Sequence, residues 1–224
     1  MLQDLRFGLR TLLKAPGFTL VAVLSLAIGI GANSAMFSLA DGLILRPLPV
    51  PHPNEIVTAG YNTSVGGFGS ISASYRDYLD FRTASKSFDG LLAYTSYSFG
   101  FSKGPDSPAQ LKIGMLVTGN FFRVLGVEPE LGRGFGDEED KAPGRNAVVV
   151  LGHDLWEKDF AADPAILGKK IRLSGIECTV IGVAPERFTG LDNYFRPALF
   201  IPVAMWPRLL SNPKINPRNL GISS

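Results

Sequence analysis

One stretch of the chain, residues 16–40, restricts the fold more than any other, because none of its roughly 25 residues is Asp, Glu, Lys, Arg or His. A helix of roughly 20 apolar residues rises about 30 Å, which matches the hydrocarbon core of a bilayer. Such a helix pairs its backbone polar groups internally, so none is left unpaired in lipid. The stretch therefore predicts a transmembrane helix over residues 16–40.

The charges on the two sides of this stretch are unequal. Arg6, Arg10 and Lys14 precede it with only Asp4 against them, and Asp41 is the first charged residue after it. Positive residues beside a membrane helix stay on the cytoplasmic side. The N-terminus is therefore predicted to be cytoplasmic, and the chain from residue 41 onward is predicted to lie on the opposite, extracytoplasmic side of the membrane.

Two other interpretations of the stretch stay open. Small residues at 32–34 have the spacing that a signal peptidase reads, but a signal peptide has an apolar region of only about 7–15 residues. Here the apolar run is longer and continues through residues 35–40. A buried helix of a soluble core would usually carry a polar face, and this one has few polar residues: Thr19, Ser25, Asn33, Ser34 and Ser38. An uncleaved anchor fits the stretch better than either.

Small residues recur at four-residue spacing within the predicted span. Ser25 and Gly29 form one stripe, and Ala27, Gly31 and Ala35 form the next. Membrane helices approach closely along such stripes. The spacing favours a packing surface for other membrane helices, although Gly and Ala are also common in membrane helices without that role.

Residues 1–15 have the pattern of an amphipathic helix. Arg6, Arg10 and Lys14 lie on one side, and leucines at spacings of three and four lie on the other: Leu2, Leu5, Leu9, Leu12 and Leu13. A basic amphipathic helix beside a span lies in the headgroup plane of the bilayer. It acts either as a topology signal alone or as a cytoplasmic elbow that touches a partner.

Composition limits the remaining choices. The 224 residues, 46% of them hydrophobic, can hold the span and one or two small soluble domains. A net charge of +2 with interspersed signs makes nucleic acid an unsuitable partner. The single cysteine, Cys178, excludes an intrachain disulfide framework.

After the span, prolines predict an extended linker over residues 41–53, followed by a core domain over residues 54–224. Ser74, with Asp77 three residues later, predicts a helix start, and Asn120 predicts another. The apolar run at 147–151 predicts a strand covered on both faces, and Ser174-Gly175 predicts a tight hairpin. Other predicted strands cover residues 55–59, 91–101 and 110–118, and a further helix covers 154–161. The fold class is therefore α+β: an amphipathic helix and one transmembrane helix precede a two-lobed mixed α/β core, with an inserted lobe at about 110–190.

The sequence nominates no catalytic, cofactor or metal site. The acidic run from Asp137 to Asp140 lacks the ligand spacing of a calcium loop and is interpreted as a solvated loop. Glycines at 132, 134 and 136 follow no strand directly and precede no Lys-Ser/Thr pair, so they do not form a phosphate loop. His52 and His153 have no second ligand at metal spacing, and Cys178 alternates with apolar residues like an inert buried thiol.

Several ordered motifs resemble the start of the MacB-like permeases of the ABC-transporter superfamily, most closely the duplicated orphan permeases of acidobacteria. Before and within the span they are Leu5-Arg6-Phe7-Gly8-Leu9-Arg10, Lys14-Ala15-Pro16-Gly17-Phe18-Thr19 and Ala27-Ile28-Gly29-Ile30-Gly31-Ala32-Asn33. After it they are Leu45-Arg46-Pro47-Leu48-Pro49, Gly119-Asn120-Phe121-Phe122, Leu125-Gly126-Val127, Gly132-Arg133 and Val180-Ile181-Gly182-Val183.

The resemblance implies a permease subunit of the bacterial inner membrane, with its main domain in the periplasm. It implies a fragment holding the elbow, the first span and most of one periplasmic domain. The motifs of an ATP-binding cassette are absent from the sequence, so the expected partners are the bilayer, a separate ATP-binding subunit and a second permease half in a dimer. The expected function is non-enzymatic coupling of ATP hydrolysis to periplasmic movement. Two alternatives are a membrane-anchored periplasmic binding or adaptor module and an anchored enzyme, the latter without a catalytic constellation.

Overall fold

The computed structural model describes residues 14–40, 48–59, 61–63, 70–140, 147–191, 196–209 and 222–223. The chain divides into two compact units, Met1–Arg46 and Pro47–Ser224. The predicted elbow, with Arg6 and Arg10, lies outside the described residues except for its last two positions.

The first unit contains helix α1, Pro16–Ala40. Pro16 suits the first turn, where a backbone N–H has no partner within the helix. Thr19 follows with both its backbone N–H and its hydroxyl donating to the carbonyl of Ala15, each at 3.0 Å. The part Pro16–Ser38 is long and apolar enough to cross a membrane, judged by length and composition, and none of its apolar window is buried.

The second unit contains ten strands and five α-helices among the residues described. The strands are β1 Tyr61–Thr63, β2 Ser70–Ala73, β3 Tyr94–Ser102, β4 Gln110–Val117, β5 Leu131–Gly132, β6 Val148–Leu151, β7 Lys170–Leu173, β8 Ile176–Val183, β9 Leu199–Pro202 and β10 Ile222–Ser223. The helices are α2 Tyr75–Ala84, α3 Phe121–Val124, α4 Asp137–Asp140, α5 His153–Phe160 and α6 Trp206–Leu209. Short 3₁₀ turns lie at Pro53–Glu55, Pro164–Ile166 and Val203–Met205.

Seven strands form one mixed sheet in the order β5-β8-β6-β9-β4-β3-β7, and β7 also pairs with β8. The pairings therefore close six strands into a ring, with β5 added at one edge of β8. The length of β8 makes this closure possible, because residues 176–179 pair with β7 and residues 179–183 pair with β6. Strands β1, β2 and β10 form a separate small antiparallel sheet.

Strands β6 and β9 and the second half of β4, residues 114–117, are apolar and carry buried side chains on both faces, so two core clusters form on opposite sides of them. Val149 and Leu151 enter the first cluster, whereas Val150 between them enters the second. The first cluster also holds Phe99, Leu116, Trp156, Cys178, Leu199 and Trp206. The second, here called the phenylalanine cluster, contains Met115, Val117, Phe121, Phe122, Leu125, Phe135, Val150, Ala184, Phe188 and Phe200. The prediction that residues 147–151 form a strand covered on both faces is confirmed.

Local signals predicted two further features correctly. Strands β7 and β8 are joined by Ser174 and Gly175, whose φ angles of 49° and 86° are those of a tight hairpin turn. Ser74 accepts a hydrogen bond from the Asp77 N–H, and the Asp77 carboxylate accepts one from the Ser74 N–H. This capping box starts α2 where it was predicted.

Three local predictions are wrong. Residues 55–59 form no strand, because Pro53 starts a 3₁₀ turn and the segment packs through Ile56 rather than by pairing. Helix α3 does begin after Asn120, but Asn120 makes no side-chain cap, because its Oδ1, the atom that would accept from the helix, accepts from the Thr118 hydroxyl instead. The acidic run is helix α4, with Glu139 buried.

Strands from inside and outside residues 110–190 share the seven-stranded sheet. The inserted lobe, and the boundaries of the elbow, span and linker at residues 15, 40 and 53, stay predictions.

Candidate functional site

The predicted packing residues lie on one continuous helix. Ser25, Ala27, Gly29, Gly31 and Ala35 are all exposed within α1. A methyl group built at Gly29 or Gly31 would meet nothing within 4 Å. Residues four apart lie one above another on a helix, so each stripe forms a shallow track that lets another backbone approach. Lys14, the one elbow cation among the described residues, is exposed.

The segment at residues 48–56, here called the proline segment, follows α1 in the chain and is attached to the domain. Val50 and Ile56 are half-buried and pack against the phenylalanine cluster. The Val50 N–H donates to the Leu48 carbonyl at 2.8 Å, and Glu55 N–H to the His52 carbonyl at 3.2 Å, so the segment is locally turned as well as docked. Its prolines restrict the backbone further. The sequence predicted an extended linker over residues 41–53, and the only signals of docking were Val50, between two prolines, and Ile56, three residues after Pro53.

The acidic run supplies internal anchors. Glu139 has a side chain only 4% exposed. Its two carboxylate oxygens accept hydrogen bonds from Arg133 Nη2 and from the Gly136 N–H, both at 2.8 Å. Burial by itself opposes ionisation, but these hydrogen bonds outweigh it, and the pKa of Glu139 is lower than its ordinary value. The carboxylate therefore fastens the turn between β5 and α4.

Asp140 makes the neighbouring contact. Its Oδ2 accepts a hydrogen bond from the Gly119 N–H at 2.7 Å. A Cβ at Gly119 would lie 2.5 Å from the Gly136 carbonyl oxygen, so only glycine allows the two turns to approach this closely. Glu139 and Asp140 thus bind the protein's own backbone. Within the described ranges, no group of three or more His, Cys, Asp or Glu side chains is placed to hold a metal ion.

The other candidate reactive residues have structural partners. His153 begins α5, packs edge-on against Trp156 and lies 3.5 Å, Nε2 to Oε2, from Glu130. Cys178 is fully buried in the first cluster, and burial raises its thiol pKa to about 12. A thiol with that pKa is not a nucleophile near neutral pH. The predicted burial of Cys178 is confirmed.

Comparisons with known proteins identify the family of the chain. The family model described as the MacB-like periplasmic core domain matches residues 19–221. No curated protein sequence matches the chain.

Two solved structures are similar to it. The periplasmic region of MacB from Actinobacillus actinomycetemcomitans has 19% identity and a TM-score of 0.53, covering 73% of each chain. The extracellular domain of the noncanonic ABC-type transporter YknZ from Gram-positive bacteria has 18% identity and a TM-score of 0.49. That match covers 61% of this chain and 66% of the YknZ domain. The MacB match supports the mixed α/β fold.

Proposed function

The chain belongs to the family of MacB-like periplasmic core domains, and from this premise we propose that it is part of a non-catalytic ABC-transporter permease subunit. In this proposal a separate cytoplasmic ATPase drives conformational change in the periplasm for export or efflux. The predicted family is confirmed, and so is the α+β class with an apolar N-terminal helix. The coupling, the partners and the cellular location are proposals.

One observation carries this proposal: the family match runs from residue 19 to residue 221 and so includes most of α1 together with the domain. A periplasmic binding domain tethered by an arbitrary anchor would need a family match only over the domain. The match therefore supports a module in which helix and domain function together. The basic residues Arg6, Arg10 and Lys14 support a cytoplasmic N-terminus for it.

The docked proline segment suits the transmission of movement. A flexible linker loses the displacement of one end before it reaches the other, whereas a restricted, docked segment passes it on. Val50 and Ile56 connect this segment to the phenylalanine cluster, which packs on the face of the central strands. We propose that displacement of the membrane helix reaches the core of the domain through these two side chains.

Within the membrane, we propose that the stripes of Ser25 with Gly29, and of Ala27 with Gly31 and Ala35, pack against other membrane helices, including those of a second permease half. Lipid tails are as apolar as the helix surfaces, so there is no hydrophobic driving force between membrane helices. Close van der Waals packing drives their association instead. We also propose that Arg6, Arg10 and Lys14 form a cytoplasmic elbow in the headgroup plane near the ATP-binding subunit.

Topology is tested with a reporter fused after Ser224 in a bacterial host. A reporter that is active only in the periplasm should give a signal, and a reporter active only in the cytoplasm should give none. Cytoplasmic activity of the fused domain would overturn the topology. A mature N-terminus near residue 35 would show that the span is a cleaved signal peptide.

The packing role is tested in the permease that contains this chain. Gly29→Leu with Gly31→Leu keeps the helix apolar, so membrane level should stay normal, but the added side chains should separate the helices and lower assembly and export. Phe37→Leu is the matched control, because residue 37 lies on the part of the helix surface between the two stripes and is three or four residues away from none of their members. Unchanged assembly and export in the glycine variant would favour a passive anchor and a periplasmic binding or adaptor module.

A further inference from the structure

Asn33 carries the only carboxamide side chain of α1, and the helix does not satisfy it. The other polar side chains of α1 are hydroxyls, which can donate a hydrogen bond to a carbonyl one turn earlier. Thr19 does so, donating to the Ala15 carbonyl at 3.0 Å. The Asn33 side chain is exposed and makes no hydrogen bond with any residue that the structure describes. Its two donors and its acceptor therefore need a partner from outside the helix.

The depth of residue 33 decides where that partner must lie. The middle of Pro16–Ala40 is residue 28, and Asn33 lies about 7.5 Å from it along the helix axis. The hydrocarbon core extends about 15 Å to each side of its midplane, so a membrane-spanning α1 places Asn33 within it. Long cationic side chains reach the headgroups from such a depth, but the side chain of Asn is too short. An unpaired amide is strongly unfavourable in hydrocarbon, so its partner must lie inside the membrane.

The helix surface beside Asn33 lets another helix come close enough to supply the partner. Asn33 follows Gly29 by four residues, and Gly29 follows Ser25 by four, so the amide lies one turn beyond two small residues on the same side of α1. A methyl group built at Gly29 would meet nothing within 4 Å. Backbones that approach closely over small residues bring a short polar side chain within hydrogen-bond distance of the neighbouring helix.

A second copy of the chain supplies this partner most directly. Copies that insert with the same topology place Asn33 at the same depth, and in a two-fold dimer the same surface of each copy meets the other. Because a carboxamide both donates and accepts, two of them form a reciprocal pair of hydrogen bonds. A different membrane helix would need a polar group of its own at this depth, whereas a second copy always has one.

We propose that the Asn33 carboxamide pairs with Asn33 of a second copy and sets the register in which two α1 helices meet along Ser25 and Gly29. A single polar side chain in an apolar helix interface is sufficient to specify register. The inference rests on the proposed membrane location of α1. It deepens the proposed function, because it assigns the stripe of Ser25 and Gly29 to a second copy and leaves the other stripe to further membrane helices of the permease.

Association of the full chain in detergent micelles tests this pairing. Energy transfer between copies labelled at the C-terminus, measured over a range of protein-to-detergent ratios, gives the association constant. Asn33→Leu should lower the constant roughly three- to thirtyfold, as expected for the loss of interhelical hydrogen bonds, while Leu keeps the helix favourable in lipid. Asn33→Gln retains the carboxamide and should restore most of the association. Thr19→Val is the matched control, because the Thr19 hydroxyl is bonded within α1.

Disulfide crosslinking tests the side of the helix that makes the contact. Ala22 lies seven residues before Gly29 and so on the same side of α1, whereas Leu24 lies about 200° further round. Ala22→Cys should crosslink two copies, Leu24→Cys should not, and adding Asn33→Leu should reduce the crosslinking of Ala22→Cys. Cys178 is buried and does not compete.

Three results would overturn the pairing: a wild-type chain that stays monomeric in micelles, association of Asn33→Leu as strong as that of the wild type, or equal crosslinking at the two cysteine positions. None of these measurements uses the assembled permease or its export activity. A failure of the Asn33 pair is therefore distinguishable from a failure of the permease proposal, which the glycine variants and the reporter fusion test.

Discussion

Replacing Glu139 by Gln should destabilise the domain, although the residue lies in a run of four acidic residues. Gln keeps the shape of the side chain and one acceptor, but it presents an NH₂ group to one of two donors, Arg133 Nη2 or the Gly136 N–H. Hydrogen bonds to a charged group contribute about 1.5–3 kcal/mol each. Arg133 is 59% exposed and stays solvated after the change, so the loss should be that of one bond rather than of a fully buried pair.

For a domain of this size, each 1 kcal/mol shifts the melting temperature by about 2–4 °C, so Glu139→Gln should lower it by roughly 3–12 °C. The two tryptophans, Trp156 and Trp206, are both buried in the first cluster and report unfolding by fluorescence. Glu157→Gln, on the exposed face of α5, is the matched control. It should change the free energy of unfolding by less than about 0.5 kcal/mol.

The same variant predicts a pH dependence. The pKa of Glu139 is lowered in the folded state, so its ionised form contributes stability above the unfolded value of 4.5, and this contribution is lost as pH falls through the folded pKa. The difference between the wild-type chain and Glu139→Gln should be constant near neutral pH and should shrink below pH 4.5. A midpoint that does not fall in the variant, or a difference that is the same at every pH, would refute the internal anchoring of Glu139.

Two further predictions follow from the packing. Cys178 should not react with maleimide in the folded chain and should react fully in denaturant, because burial raises its pKa to about 12; rapid labelling of the native chain would contradict its burial. Phe200→Ala should cost about 3–5 kcal/mol, since its ring is fully buried against Phe122 and Phe188. Both variants are compared with the wild-type chain by urea titration. Leu111→Ala, at a side chain 75% exposed, should change the free energy of unfolding by less than about 0.5 kcal/mol. A loss in Phe200→Ala no larger than that in Leu111→Ala would contradict the packing.

The features that the sequence predicted correctly have short-range causes. The long apolar helix α1 follows from an uninterrupted apolar run, the start of α2 from Ser74 with Asp77 three residues on, and the hairpin from Ser174-Gly175. The two-sided burial of Val149, Val150 and Leu151 follows from a run too short for a helix and without a polar face. Each of these signals lies within a few residues of the structure that it determines.

The features that it missed depend on distant partners. The ring of strands closes only because Phe101 pairs with Leu173, residues far apart in the chain. The proline segment docks because Val50 and Ile56 meet the phenylalanine cluster, which later elements assemble. Glu139 is buried because Arg133 Nη2 and the Gly136 N–H donate hydrogen bonds to its carboxylate. Four consecutive acidic residues in the sequence give no indication of these contacts.

The most direct test of the proposed coupling is hydrogen exchange of the domain in membrane vesicles that hold the permease and its ATP-binding subunit, with and without ATP. The account predicts that ATP changes exchange in residues 48–56, leaves β6 unchanged, and has no effect when the ATP-binding subunit cannot hydrolyse ATP. Exchange that is the same throughout the domain with and without ATP would contradict it.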